Sequence, residues 1–320
     1  QIAIDATVEV DDDAVTVDFE GSDPQATGGV NAPISCTETA TYYAMKVTLD
    51  PGSIGTSGSY RPIAVTAPSG TIVNPEYPAP VVAGNHETSN RIYDTVVQAI
   101  AEVDPELTFG AGDGSSNILT YRSRESGEIN YTCLGGGMGA CTDREGINAI
   151  RSGVGNTGIQ PVEREERVYD FVRIEEFNLV TDAGGAGRHR GGLPPERVTR
   201  FDHDVELLVV AERATSQPFG MDGGDPGVSA RHLHVSPDGE RTQVSSKSTL
   251  EVEAGSKFAF RPAGGGGFGD PHERPPEAVR EDVENGYVSV EAAREEYGVA
   301  LDPETLAIDD AETERLRSSE

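Results

Sequence analysis

Apolar and polar residues alternate from the first positions of the chain. IAIDATVEV reads as one strand, DDD as an acidic turn, and AVTVDFE as a second strand of a hairpin. The period lengthens at Thr37–Val47, where Ala40, Tyr43, Ala44 and Val47 share one face of a predicted helix that Ser35 can cap and that ends before Pro51-Gly52. The strongest helical pattern is SNRIYDTVVQAIAEVDP. Ile92, Val96, Ile100 and Val103 form its apolar stripe, Ser89 stands where a cap is needed, and Pro105 follows the end.

From residue 118 the texture is strand and turn. YRSRESGEINYTCL predicts a hairpin around Ser126-Gly127, and VYDFVRIEEFNLV a strand interrupted near Glu175-Glu176. DVELLVVAER is apolar through its middle, as a strand buried on both faces would be. VSARHLHVSPDGERTQV predicts a hairpin turning at Pro237-Asp238-Gly239. After Pro271 two short helices follow. The first starts on Pro276 and stops at Asn285-Gly286, and the second is capped by Ser289; the acidic last 20 residues are expected to fray. The expectation is an α+β fold, predominantly β: a mixed region over 1–165, a strand-rich region over 166–270 and a helical, acidic tail over 271–320.

Charge changes the picture of the surroundings. The chain carries 55 acidic against 25 basic residues, a net of −30, with three lysines only. Such an excess destabilises a compact state unless salt screens it. A halophile's cytoplasmic protein is therefore expected, and nucleic acid and anionic membrane are excluded as natural partners. No apolar run reaches the roughly 18 residues of a membrane span. Three cysteines, Cys36, Cys133 and Cys141, form no CxxC pair and no disulfide framework. The chain opens on Gln1 inside an alternating pattern, which is read as the middle of a longer polypeptide.

Several motifs invite a chemical reading, and most fail it. RPAGGGGFGDP (261–271) has four consecutive glycines but lacks the Lys-Ser/Thr that completes a phosphate loop. GGGMGA (135–140) fits the spacing of a dinucleotide fingerprint, but no helix follows. Two readings stay open for it: a tight turn under close packing, or a backbone N–H nest at Gly136 and Gly137 for an oxyanion. His86-Glu87-Thr88-Ser89-Asn90 misses the zincin pattern at its last position. His232-x-His234 has a usable metal spacing without a third ligand, and a solvated strand face is the alternative. No G-x-S-x-G nucleophile elbow occurs.

Taken as an ordered set, the motifs NAP (31–33), SYRPIAVTAPSGTIVNP (59–75), PAPVVAGNHETSNRIYD (78–94), GGGMGA (135–140), NTGIQPVEREE (156–166), DAGGAGRHRGGL (182–193) and the stretch from GGGGFGDP to EEYGV (264–299) resemble the C-terminal half of the hydantoinase B/oxoprolinase family. The resemblance covers nearly the whole chain. It implies the B-type subunit of an ATP-dependent cyclic-amide hydrolase of the N-methylhydantoinase or 5-oxoprolinase kind. The related alternatives are a subunit of an acetone or acetophenone carboxylase, and a non-catalytic scaffold half-subunit.

By the same resemblance an A-type partner uses ATP to phosphorylate the amide or enol oxygen. A divalent metal in the N-terminal half, missing from this chain, completes the reaction. This half is then expected to hold no cofactor and to be inactive alone. DREG at 143–146 departs from the simpler Asp-Gly turn expected there. Within this half the candidates for anion or substrate binding are Asn85, Glu87, Thr88 and Arg91, at the start of the predicted helix, together with Gly136 and Gly137. Arg188 and Arg190 are candidates for an anion, for the A-type partner, or for a structural clasp. GGGGFGDP is expected to be architecture that closes the β-rich region.

Overall fold

A computed structural model describes residues 2–11, 13–151, 153 and 161–318. The first part of the motif NTGIQPVEREE and the centre of the first acidic turn lie outside the described residues. The chain divides into two compact units, Gln1–Phe109 and Gly110–Glu320.

In the first unit the predicted hairpin is present as β1 (Thr7–Asp11) and β2 (Ala14–Asp18). Helix α1 (Ile34–Leu49) begins earlier than the apolar rhythm suggests; Pro33, not Ser35, occupies its cap position. A single turn, α2 (Ser57–Tyr60), leads into β3 (Ile63–Thr66), which pairs in parallel with β2. The main helix, α3 (Ser89–Ala101), is preceded without a break by a π-helical turn over Gly84–Thr88. Ser89 therefore lies inside a continuous helical run, and its hydroxyl donates back to the Asn85 carbonyl at 2.9 Å. Ile92, Val96, Val97 and Ile100 bury the apolar stripe against Val17, Phe19, Ala40 and Ala44, each large side chain contributing roughly 1.5–3 kcal/mol by leaving water.

The second unit is a sandwich of two antiparallel sheets. One contains β4 (Ile118–Ser123), β5 (Ile129–Cys133), β8 (Val205–Val210) and β11 (Lys247–Val252), in the order β11-β8-β4-β5. The other contains β6 (Val172–Leu179), β7 (Pro195–Phe201), β9 (Arg231–Val235), β10 (Arg241–Gln243) and β12 (Lys257–Arg261), in the order β10-β9-β12-β7-β6. Leu119, Tyr121, Leu207 and Val209 from the first meet Val172, Phe201, Phe258 and Phe260 from the second.

The interruption expected near Glu175-Glu176 is a β-bulge between Ile174 and Glu176. A short helix, α4 (Val162–Val168), precedes β6 where the sequence pattern showed none. Strand β8 corrects an expectation. Val205, Leu207 and Val209 are buried while Leu208 on the opposite face is exposed, so only one face is covered.

Three helices complete the unit: α5 (Pro276–Glu284), α6 (Val290–Glu295) and α7 (Asp310–Arg317). Ser289 caps α6 as expected, accepting from Ala292 N at 3.0 Å. The acidic end is ordered into α7, with Asp309 accepting from Glu312 N at its start. Among the described residues no helix is long and apolar enough to cross a membrane.

Candidate functional site

In the first unit the π-helical turn holds Asn85, Glu87 and Thr88 before α3 begins. A π-turn widens the helix by one residue and is enriched at functional sites. Gly84 is required where it stands, because a Cβ there would run into the backbone of Asn31. The Asn31 side chain itself is fully buried. It donates to the carbonyls of Ala26 (2.9 Å), Gly28 (3.2 Å) and Pro80 (2.8 Å), and accepts from Ala26 N. Two of the sequence motifs, NAP and PAPVVAGNHETSNRIYD, are thus one structural device.

The four candidates of this turn have different surroundings. Thr88 donates its hydroxyl to Val30 O and is buried. The Glu87 carboxylate is fully buried and lies 3.0 Å from Nδ1 of the partly exposed His86. Arg91 pairs with Asp94 at 3.2 Å, one turn further along α3. Asn85 is exposed.

In the second unit the glycine motifs converge. The Gly137 N–H donates to Ala263 O (2.9 Å), and its carbonyl accepts from Asp113 N (2.9 Å). Gly192 N bonds Met138 O, Gly265 N bonds Gly192 O and Gly185 N bonds Gly265 O, each at 2.8 Å. Gly266 N then reaches Ala111 O at 2.8 Å, and Ala140 N returns to Gly266 O at 2.9 Å. The chain runs 110–114, 135–140, 183–192 and 263–268 therefore form a lattice in which backbone touches backbone. A Cβ at Gly136 would strike Asp113, and one at Gly137 would strike Gly192 and Gly265.

The close-packed reading of GGGMGA describes this arrangement: the Gly137 N–H is already committed to a protein carbonyl. A buried carboxylate not singled out in the sequence, Asp113, pins the lattice. It accepts from Ala263 N (2.8 Å), Ser115 N (3.3 Å) and Asn117 Nδ2 (2.7 Å). An acid flanked by glycines in GAGDGSSN was the available signal.

The two arginines of DAGGAGRHRGGL separate. Arg188 is 37% exposed and pairs with Glu273 at 3.1 Å. Arg190 is 3% exposed, donates to Gly191 O at 2.6 Å and to Asp282 at 3.4 Å, and stacks over the Tyr287 ring at 5.1 Å. Asp282 also holds Arg274 (2.8 Å), which reaches Glu145 at 2.6 Å. Burial alone would raise the Glu145 carboxyl, but the Arg274 hydrogen bond and charge outweigh it and hold it below its ordinary value. Arg190 thus occupies the clasp that fastens α5 to the lattice.

The His232-x-His234 pair faces the sandwich interior rather than solvent. His232 is fully buried and stacks on Phe260 at a centroid distance of 4.2 Å. Burial, with the Arg261 charge adding to it, pushes its pKa down to about 4 against a raising hydrogen bond from the Arg231 backbone. Among the described residues no group of three or more His, Cys, Asp and Glu side chains could hold a metal ion. The resemblance places the divalent metal outside this chain, and no step is derived through it.

An α+β unit closed by a lattice of glycine backbones is the class that this geometry defines. Residues 1–271 match the hydantoinase B/oxoprolinase family, and the chain belongs to it. It is similar to an uncharacterised protein, MJ0963, from Methanocaldococcus jannaschii, with 34% identity over 99% of this chain and 56% of the relative. It is also similar to the B-type subunit named for a D-/L-hydantoinase of Pseudomonas sp. strain NS671, with 32% identity over 99% of this chain and 55% of that protein. The structure of the ATP-dependent caprolactamase from Pseudomonas jessenii has the same fold with a TM-score of 0.85 at 26% identity, covering 99% of this chain and 57% of that one. Nucleotide-free acetone carboxylase shares the fold, with a TM-score of 0.85 at 19% identity over 99% of this chain and 48% of that one. The chain thus spans about half the length of the relatives it matches.

Proposed function

We propose that this chain is the C-terminal part of the B-type subunit of an ATP-dependent cyclic-amide hydrolase, opening rings of the hydantoin or 5-oxoproline type. The observation that carries the proposal is the family match over residues 1–271, with a hydantoinase component and a caprolactamase among the relatives aligned across nearly the whole chain. An A-type subunit supplies ATP chemistry, and the divalent metal comes from the part of the assembly outside these residues. Phosphorylation of the amide oxygen makes the ring carbon electrophilic; water adds there, the ring C–N bond breaks as the nitrogen takes a proton, and a second water hydrolyses the resulting acyl phosphate to carboxylate and phosphate.

The contribution of this chain is to shape and hold. The glycine lattice is a rigid wall, and the groups that solvent reaches sit on its margin and on the π-turn. Of the candidates, Asn85 and Arg188 are accessible enough to meet a substrate or a partner. Glu87, Thr88, Arg91 and Arg190 are held by partners of their own.

The test is turnover by the assembly purified from its own host through a tag on this chain. ATP-dependent ring opening of 5-oxoproline, hydantoin or caprolactam, with stoichiometric phosphate release, is expected. Phosphate release that needs bicarbonate and a ketone assigns the carboxylase reading instead. An assembly with neither activity, but which dissociates when this chain is removed, assigns the scaffold.

A further inference from the structure

We propose that Arg231 and Arg261 form an oxyanion-binding site on the outer face of the five-stranded sheet, holding a phosphate or carboxylate group between two guanidiniums. The two residues are directly opposite each other in the β9–β12 register. Like charges directly opposite across an antiparallel pair destabilise it. Among the described residues neither arginine forms an ion pair; the Glu196 charge offsets the repulsion at Arg261 without a contact, and Arg261 makes one long hydrogen bond, Nη2 to Ser229 O at 3.5 Å. The Arg261 Nε is buried without a hydrogen-bond partner, and an unmet buried donor is costly.

The rest of that sheet face shows what ordinary arrangement this chain makes. Arg200 pairs with Glu175 (3.1 Å), Arg173 with Asp202 (3.3 Å) and Lys257 with Glu175 (2.5 Å). With 55 acidic residues against 25 basic ones, two opposed arginines without an ion-pair contact stand apart from these pairs. Burial and the neighbouring Arg231 charge lower the Arg261 pKa, and Glu196 on β7 counters them without forming an ion pair. An oxyanion placed between the two forks would accept from their Nη groups and offset the repulsion, in the bidentate geometry for which arginine is suited. The site stands where β12 runs into the glycine lattice, two residues before Ala263, whose N–H is fixed by Asp113.

The test titrates the protein in its native assembly with inorganic phosphate and, separately, with acetate, at constant ionic strength in chloride. Calorimetry compares it with Arg231→Gln and with Arg261→Lys, which keeps the charge but loses the planar fork. A saturable site is expected that either variant weakens about tenfold or more, the loss of roughly one charge-assisted hydrogen bond. Stronger phosphate than acetate binding assigns a phosphate ligand, and the reverse a carboxylate.

In chloride alone Arg231→Gln is expected to raise Tm by removing the repulsion, and to abolish the rise that the oxyanion produces in the wild type. Saturable binding that is equal in wild type and variants overturns the proposal, as does its absence for both anions. A fall in Tm for Arg231→Gln in chloride overturns it as well.

Discussion

Gly265→Ala is the sharpest test of the glycine lattice. Gly265 does not have the left-handed φ that would demand glycine for conformational reasons. What a Cβ meets there is the carbonyl of Met138 and the Gly139 amide, both backbone atoms. Relief requires the 138–139 segment to retreat by about 1 Å, which forfeits much of its van der Waals contact. It also breaks the bonds that segment makes: Met138 N to Ile147 O at 3.0 Å, and Gly192 N to Met138 O at 2.8 Å. Two buried backbone hydrogen bonds lost at about 1–3 kcal/mol each, with overpacking strain of about 1–3 kcal/mol, give a destabilisation of roughly 3–9 kcal/mol.

Gly239→Ala is the matched control. Gly239 has φ +93° and open space where the Cβ would be, so only the left-handed backbone is penalised, by about 1–2 kcal/mol. Urea unfolding followed by circular dichroism measures both. The reasoning is refuted if Gly265→Ala costs no more than Gly239→Ala, because close backbone approach would then not be the reason for the glycines.

Asp282→Asn should cost about 3 kcal/mol or more in the same assay, since it strips two arginines that are each 3% exposed of their shared carboxylate; Arg188→Ala, at a 37% exposed pair, should cost under about 1 kcal/mol. His232 binds a proton more readily in the unfolded chain than in the fold, where its pKa is about 4. Its contribution is therefore complete above about pH 6.5 and is lost as pH falls towards 4, in total about 3 kcal/mol; His232→Phe should flatten that part of the pH–stability curve, and an unchanged curve contradicts the assignment. Calorimetry in KCl should show Tm rising between about 0.1 M and about 3 M, because the net charge of −30 is screened over that range, and a flat Tm removes the halophile reading.

Much of the fold was legible where a residue's local preference and its tertiary role agree. Ser289 and Pro276 start helices in this structure as their chemistry suggests, and Pro237-Asp238-Gly239 turns the hairpin between β9 and β10. Legibility failed where tertiary contacts decide. Ser89 has the chemistry of a cap, but the backbone around Asn31 receives a π-turn ahead of it and carries the helix back to Gly84. LLVV in β8 looks doubly buried because Leu208, although exposed, is as apolar as its neighbours. The imidazoles of His232 and His234 carry no signal of which sheet face they take; register with Phe260 and Phe258 decides it. Glu165 and Arg197, both buried and paired, sit 32 positions apart, a separation that no local pattern encodes.

The glycines were the opposite case, and they explain why the candidate site was only partly visible. A run such as GGGG is conspicuous in any sequence, yet its amides here are spent on other backbones, Gly265 on Gly192 and Gly266 on Ala111. Those amides cannot bind a ligand without giving up these bonds. In the second unit the accessible cationic groups beside the lattice are ones a sequence does not advertise: a half-exposed Arg188, and Arg261 one residue ahead of the proline that precedes the glycine run. The close-packed backbone carries the stability of this part of the fold. For this reason Gly265→Ala should disturb stability first, whereas Arg261→Lys should leave the fold intact and change only what it holds.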